Sequence, residues 1–561
     1  MRNKRETTKY VIYLLAFLTL WIVLFWKCKF GFPLDENFYI LFCYRFINGD
    51  IPVLHEWNPT QFFVIWIYPF AWVYYKLVGS SEHIILVFRY IFFFVWGISA
   101  LFFFYRLRKI SFFGAAVSSL IFMVFVPYGE MALYYNTIGL ISFTSALVII
   151  ITAEKKKYLQ YMVSGFMFAV AVTCCPFLFS LYVMLIIAVL VYLTKKQREL
   201  FRLFCCITVG AIPVIILVYW FYIVPSSLGE VINGLKYLIA DRDHQFTYYE
   251  KFTGFFKNIY ESNPVVLLVT LTVFISMLIA LKKKTKKTRI IGFLAVCVSV
   301  MLLYVTYLVT IDYTTAFFPN RYSFPPVFVG LYCGMLTEKK TTRKLFYNMY
   351  VPGLIYVFCI NISSNVVFEA SMIPSVICTM ATCFLMLSFW KDNIVSLNKG
   401  LLNIAGKIIC SLVMILCFSI GLYAMITYTY CNGKTLKLKV EIKQGPYKGL
   451  VCSQSIQNAY NKVVQDLEPI KNSDSENVLL LTGFWYYLDV NKKPSCSSCF
   501  YHTVDDALLD QLEQYYDLYP QFIPDIVYIQ DIHKDLLDRV IAYGYQSEET
   551  KTGSYILYRK K

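Results

Sequence analysis

The sequence predicts a mainly α-helical, polytopic membrane protein that ends in an α/β domain outside the membrane. Three observations carry that prediction. The 561 residues are 58% hydrophobic and only 16% charged, with a mean hydropathy of +0.57, which excludes a string of soluble domains. Apolar runs of spanning length alternate with short Lys/Arg clusters such as Arg106 to Lys109, Lys155 to Lys157 and Lys282 to Lys287, the spacing expected when positive residues mark the inner side. From Cys431 onward, charges become frequent and apolar runs shrink to strand length. The net charge of +17 therefore reads as topogenic rather than as a nucleic-acid surface.

The first span, Tyr10 to Trp26, follows Arg2-Asn3-Lys4-Arg5 and runs from inside to outside. No small-residue cleavage site follows it, so it reads as a retained helix. Gln61 to Lys76 is interrupted by Pro69 and reads as an interfacial helix on the outer surface, because counting it as a span would put Arg106 to Lys109 outside. Ile84 to Tyr105 is then the second span. Phe112 to Pro127, Asn136 to Thr152, Tyr158 to Thr173, Phe177 to Leu193, Leu203 to Val224, Pro264 to Leu281, Ile290 to Ile311, Ser323 to Leu336, Leu345 to Ile362, Met372 to Trp390 and Ile404 to Tyr430 follow. That makes about thirteen spans, with the N-terminus inside and the C-terminus outside. Residues 1–430 form the membrane domain and 431–561 the outer domain. In the latter, Thr435 to Ile442, Asn477 to Leu481, Asp525 to Ile529 and Ser554 to Tyr558 read as strands, and Ser453 to Leu467, Asp505 to Tyr516 and Ile532 to Tyr543 as helices.

Polar groups gather where this topology meets the outer surface. The stretch after the first span holds Asp35-Glu36, Asn48-Gly49-Asp50 and His55-Glu56-Trp57-Asn58-Pro59. Adjacent carboxylates at a membrane mouth need water, a partner or a chemical role. Asp35 also suits the cap of a helix beginning at Glu36. Glu130, Asn136, Arg242, His244, Arg321 and Tyr322 fall on the same side, and Arg89 lies near the outer end of the second span. Arg89 fits either a snorkelling side chain or a partner to phosphate or carboxylate. Arg321-Tyr322 also suits an interfacial anchor, and His244 a solvated loop histidine. Most of the 17 cysteines sit in apolar runs as small hydrophobes. Cys496 and Cys499 form a lone CxxC that reads as a disulfide, half a metal site or neither.

The order of an Asp-Glu pair in the first outer loop, Tyr39, Asn48-Gly49-Asp50 and an acid ahead of Pro59 resembles the GT-C superfamily of membrane glycosyltransferases. Within it the chain is similar to protein O-mannosyltransferases and lipid A aminoarabinose transferases. It departs from them where Ile51 follows Asp50, and where Asn136 opens the fourth span with Glu130 upstream. The resemblance implies inverting transfer of a hexose or pentose from a polyprenyl-phosphate donor to a glycan, lipid or protein acceptor at the outer face of a bacterial plasma membrane. It implies Asp35, with Glu36, as the catalytic acid pair, and Arg89, Arg321, Tyr322 and Arg242 at the donor phosphate. Glu56 and His244 would hold a divalent metal, with Glu130 and Asn136 in the acceptor cavity. A transporter or flippase of lipid-linked sugars predicts ionisable residues deep in several spans and related halves, whereas here the acids lie in loops. A polymerase or ligase using a lipid-diphosphate donor, and a non-catalytic protein with a sensor-like outer domain, are the remaining classes.

Overall fold

Long apolar segments satisfy their backbone polar groups internally, and in the computed structural model of this chain they are helices. The structure describes residues 2–154, 156–193, 198–239, 247–262, 264–310, 318–363, 370–394, 401–482, 486–501 and 503–560. Six helices build the N-terminal region: α1 (Arg2–Lys27), α2 (Asp35–Ile47), α3 (Val64–Val78), α4 (Ile84–Leu107), α5 (Phe112–Val124) and α6 (Tyr135–Thr152). Every segment predicted to span coincides with a helix. Among the described residues, eight helices are long and apolar enough to cross a membrane, including α1, α4, α6 and the last long helix, Leu401–Thr427. Others are apolar but shorter, such as α5 and Pro325–Met335. The chain is thus mainly helical, with several apolar helices compatible with a multi-pass membrane protein.

Two helices near the N-terminus do not follow the spanning pattern. With 13 residues, α2 is about 20 Å long, too short for a hydrocarbon core of about 30 Å. Its residues from Glu36 to Phe46 are all buried. α3 carries Pro69 within it and buries Val64, Ile65, Ile67 and Ala71, while Phe70, Trp72, Val73, Leu77 and Val78 remain exposed. That exposed apolar stripe suits a helix lying against lipid.

The C-terminal segment opens with two short antiparallel pairs. β1 (Tyr428–Thr429) pairs with β2 (Gly433–Lys434), and β3 (Val440–Glu441) with β4 (Val451–Cys452). The single strand expected over Thr435 to Ile442 is therefore broken. A 3-10 turn at Thr435–Lys437 interrupts it, where the Thr435 hydroxyl is drawn inward to the Lys27 ammonium. A five-stranded sheet follows, built of β5 (Asn477–Leu481), β6 (Lys493–Pro494), β7 (Ile526–Ile529), β8 (Tyr545–Glu549) and β9 (Tyr555–Arg559) in the order β6-β5-β7-β9-β8. The β5 pairings are parallel, and β9 is antiparallel to both neighbours. Helices Gln454–Lys471 and Asp506–Leu518 are capped by the Ser453 and Asp505 side chains, and Leu537–Ala542 is a shorter turn of helix.

The two ends of the helical region are stitched together. The Gly31 and Val451 backbones exchange bonds through Gly31 N–H to Val451 C=O (2.9 Å) and Val451 N–H to Lys29 C=O (2.7 Å). The exit of the first helix is thereby fixed beside the exit of the last.

Candidate functional site

The stretch after α1 splits its carboxylates among three buried settings. The first is centred on Arg45, a buried cation in the apolar C-terminal part of α2. Its Nε donates to Asp50 Oδ2 (2.6 Å), Nη1 to Glu56 Oε2 (2.8 Å) and Nη2 to the His55 carbonyl (2.5 Å). Asp50 also meets Lys493 Nζ at 3.2 Å, which balances the charges. Glu56 further accepts the Asn58 N–H (3.1 Å) and the Cys499 N–H (3.1 Å to Oε2). Cys496 and Cys499, both free thiols and fully buried, place their sulfurs 4.0 and 3.8 Å from Arg45 Nη1. The CxxC segment is thus a seam between the C-terminal sheet and the first loop, reinforced by Trp57 N–H to the Ser497 carbonyl (2.7 Å). His55 accepts the Ile51 N–H at Nδ1 (2.9 Å), and burial pulls its pKa down to about 4, so it is neutral.

The second setting lies at the head of α2. The position before the helix is Leu34, without a side-chain cap, so the capping role available to Asp35 is not used. Asp35 instead accepts the Tyr430 hydroxyl at Oδ2 (2.8 Å). Burial pushes its pKa up to about 6, with the Glu36 charge adding to the rise and the Tyr430 bond opposing it. Glu130 faces the same space from the turn Pro127–Gly129. That turn holds Tyr128 at φ 57° and Gly129 at φ 74°, and Tyr128 N–H is fixed by Asn320 Oδ1 (2.8 Å). Glu130 is 1% exposed, and among the described residues it has no ion pair. Burial, then the nearby charges of Asp35 and Glu36, hold its carboxyl well above the ordinary range, which favours its protonated form. Aromatic rings wall the pair. Tyr39 stacks on Tyr134 at 4.9 Å, and Tyr135 stands edge-on to both.

Glu36, although adjacent to Asp35, belongs to a third arrangement. Arg89 grips it bidentately, with Nε to Oε2 at 2.7 Å and Nη2 to Oε1 at 2.9 Å. Its remaining N–H groups go to the carbonyls of Cys28, Phe30 and Gly31, each at 3.0 Å. All five guanidinium donors are consumed. Of the two partners open to Arg89 in the sequence, the carboxylate is the one it takes.

The other expected residues fall in different places. Tyr322 is buried against Phe125 (5.6 Å) and against Gly421, where an added Cβ would come within 2.5 Å of its ring. That makes it a packing residue for the last long helix. Arg321 ends the short helix Phe318–Arg321 and is partly buried. Asn136 is buried in the first turn of α6, beside Tyr134. Arg242 and His244 lie outside the described residues. Glu56 does not fit a metal ligand, because each oxygen is committed to Arg45 or to backbone N–H groups. Among the described residues, no three His, Cys, Asp or Glu side chains are grouped to hold an ion.

Sequence reasoning missed Arg45 and Tyr430. Arg45 carried a signal, as a cation within the apolar run that follows Asn37. Tyr430 carried none, because it lies 395 residues from the carboxylate it serves. No protein-family model matches this chain, and no curated protein matches it in sequence.

Proposed function

We propose that this protein is a membrane glycosyltransferase that moves a hexose or pentose from a polyprenyl-phosphate donor to an acceptor hydroxyl at the outer face of the membrane. The observation that carries the reading is Asp35. It is a partly buried carboxylate that among the described residues carries no ion pair, oriented by the Tyr430 hydroxyl, with a pKa of about 6. At neutral pH such a group is ionised and is a stronger base than an ordinary aspartate, as general-base catalysis requires. The acceptor hydroxyl gives its proton to Asp35 as its oxygen bonds to the anomeric carbon. The bond from that carbon to the phosphate oxygen breaks with inversion, and polyprenyl phosphate leaves with the electron pair. Burial favours the protonated form of Glu130, which suits it to donate to a sugar or acceptor oxygen, and Asn136 lies beside Tyr134 of the aromatic wall.

Glu36 and Arg89 support the site by fixing the loop that carries Asp35. The reading keeps the N-terminus inside, the C-terminal sheet outside and about thirteen spans, all from the distribution of Lys and Arg. It leaves Arg321 and Arg242 as candidates at the donor, and the acceptor as a glycan, lipid or protein.

The test is release of polyprenyl phosphate by the purified protein in nanodiscs, offered a panel of polyprenyl-phosphate hexoses and pentoses with a membrane extract supplying acceptor. Release by the wild type and its loss in a folded Asp35→Asn variant are expected. Undiminished release by Asp35→Asn would remove Asp35 as the base. Bound donor that is never turned over would favour a carrier of lipid-linked sugars.

A further inference from the structure

We propose that Cys496 and Cys499 are a site of covalent modification: outside the membrane they are joined as a disulfide by exchange with the disulfide of an extracytoplasmic oxidoreductase, and the bond sets the seam against which the first loop rests. The inference rests on the outward placement of the C-terminal sheet and not on the transferase chemistry. The pair directly follows β6, among Ser495, Ser497 and Ser498, a setting unlike the apolar runs that hold most other cysteines. Both side chains are 0% exposed, and both sulfurs lie within 4.0 Å of the same nitrogen, Arg45 Nη1. The Cys499 thiol has the Cys496 thiol as a hydrogen-bonding neighbour. The two sulfurs therefore share one pocket, with only two residues between them in the chain.

The surroundings select among the readings of the motif. A metal ion here would meet the guanidinium of Arg45, which already supplies the positive charge facing Glu56 and Asp50, and a zinc site takes about four ligands. Two plain thiols bring two S–H protons to a place where Arg45 Nη1 is itself donating. A disulfide brings none and presents only lone pairs to that N–H. The backbone of the same segment carries the seam, through Cys499 N–H to Glu56 (3.1 Å) and the Ser497 carbonyl to Trp57 N–H (2.7 Å), so closing the bond restricts the residues that make those contacts. In the exchange, one cysteine thiolate attacks a sulfur of the oxidoreductase disulfide and expels the other as a thiolate. The second cysteine thiolate attacks the mixed disulfide, the Cys496–Cys499 bond forms, and the oxidoreductase leaves as a dithiol carrying the two electrons and, through solvent, the two protons. The exchange precedes docking of the sheet on the first loop. After docking the sulfurs are inaccessible, and burial holds the Cys499 thiol well above its ordinary range, which leaves little thiolate to react.

The test is peptide mass analysis of the full-length protein, taken from cells quenched in acid and then denatured and alkylated with or without prior reduction. The peptide carrying both cysteines is expected to be two hydrogens lighter than its dithiol form and to take up the alkylating agent only after reduction. Recovery of both residues as alkylated thiols without reduction overturns the proposal, and so does a bond from either of them to Cys431 or Cys452. An Ile532→Cys reporter, at a position 69% exposed in the C-terminal domain, is offered a membrane-impermeant maleimide on intact cells and read on its own peptide. Reduced thiols with a labelled reporter overturn the disulfide alone and leave the transferase reading intact. Reduced thiols with a reporter that labels only after permeabilisation overturn the outward placement as well. Thermal melts in nanodiscs test what the bond does. Reductant present during heating is expected to lower the wild-type midpoint by several degrees and to leave the Cys496→Ser/Cys499→Ser double variant unchanged. A wild-type midpoint indifferent to reductant overturns the bond's role in the seam.

Discussion

Arg45 and Asp35 sit on the same short helix, ten residues apart in number, yet their surroundings obey opposite rules. Around Arg45 every charge is answered: Asp50 and Glu56 take the guanidinium, and Lys493 takes the free oxygen of Asp50. Around Asp35 and Glu130 two carboxyls share burial with tyrosines and, among the described residues, no salt bridge. A compensated cluster holds a fold in place and has no capacity left for a substrate. An uncompensated one costs stability, and its groups titrate where chemistry needs them.

The sharpest way to break the comparison is substitution on both sides of it. Asp35→Asn should lower transfer by about 10²- to 10⁴-fold, the usual contribution of a general base, with an unchanged melting temperature. Turnover in nanodiscs and a thermal melt check the two halves. Arg45→Met should do the reverse. It strands two buried carboxylates and should cost about 3–5 kcal/mol of stability, seen as a lower midpoint in a denaturant melt, with activity lost only in proportion to folded protein. Glu36→Gln should resemble Arg45→Met in kind, because it leaves the Arg89 guanidinium without its carboxylate.

Two smaller effects sharpen the contrast. Turnover should fall about tenfold per unit below pH 6 as Asp35 takes up its proton, and a pH–rate profile measured with excess donor reads this directly. For Glu130, the folded state favours the neutral form. Its stabilising contribution is complete below the ordinary carboxylate range and declines as pH rises toward its elevated pKa. The melting temperature of wild type should therefore fall more steeply with rising pH, above the ordinary carboxylate range, than that of Glu130→Gln.

Much of this was legible in the residues. Hydropathy and Lys/Arg spacing located the helices, and apolar runs of strand length located β5, β7 and β9, whereas the alternating stretch Thr435 to Ile442 is broken by a turn. β6 and β8 escaped, the first because Lys493–Pro494 is too short for a pattern and the second because Tyr545–Glu549 is polar almost throughout. The acid-bearing loop stood out, but which acid pairs with which cation did not. Asp35 and Glu36 are neighbours in sequence and point to different partners, Tyr430 and Arg89, because successive helical positions face about 100° apart. Partner choice is a property of the packed helices, and Tyr430 and Thr429 reach the first loop only because Val451 and Gly31 are stitched together.

That stitch also governs when the protein becomes competent during its synthesis. Asp35 leaves the ribosome early, whereas Tyr430, Thr435 and Val451 follow some 400 residues later, a delay of about 20–80 s at ordinary elongation rates. Until then the first helix stands in the bilayer with an unfinished mouth, and Asp35 lacks its phenol. A chain truncated before the last long helix therefore keeps Asp35 and Glu36 but lacks the phenol and the strand that fix the first loop.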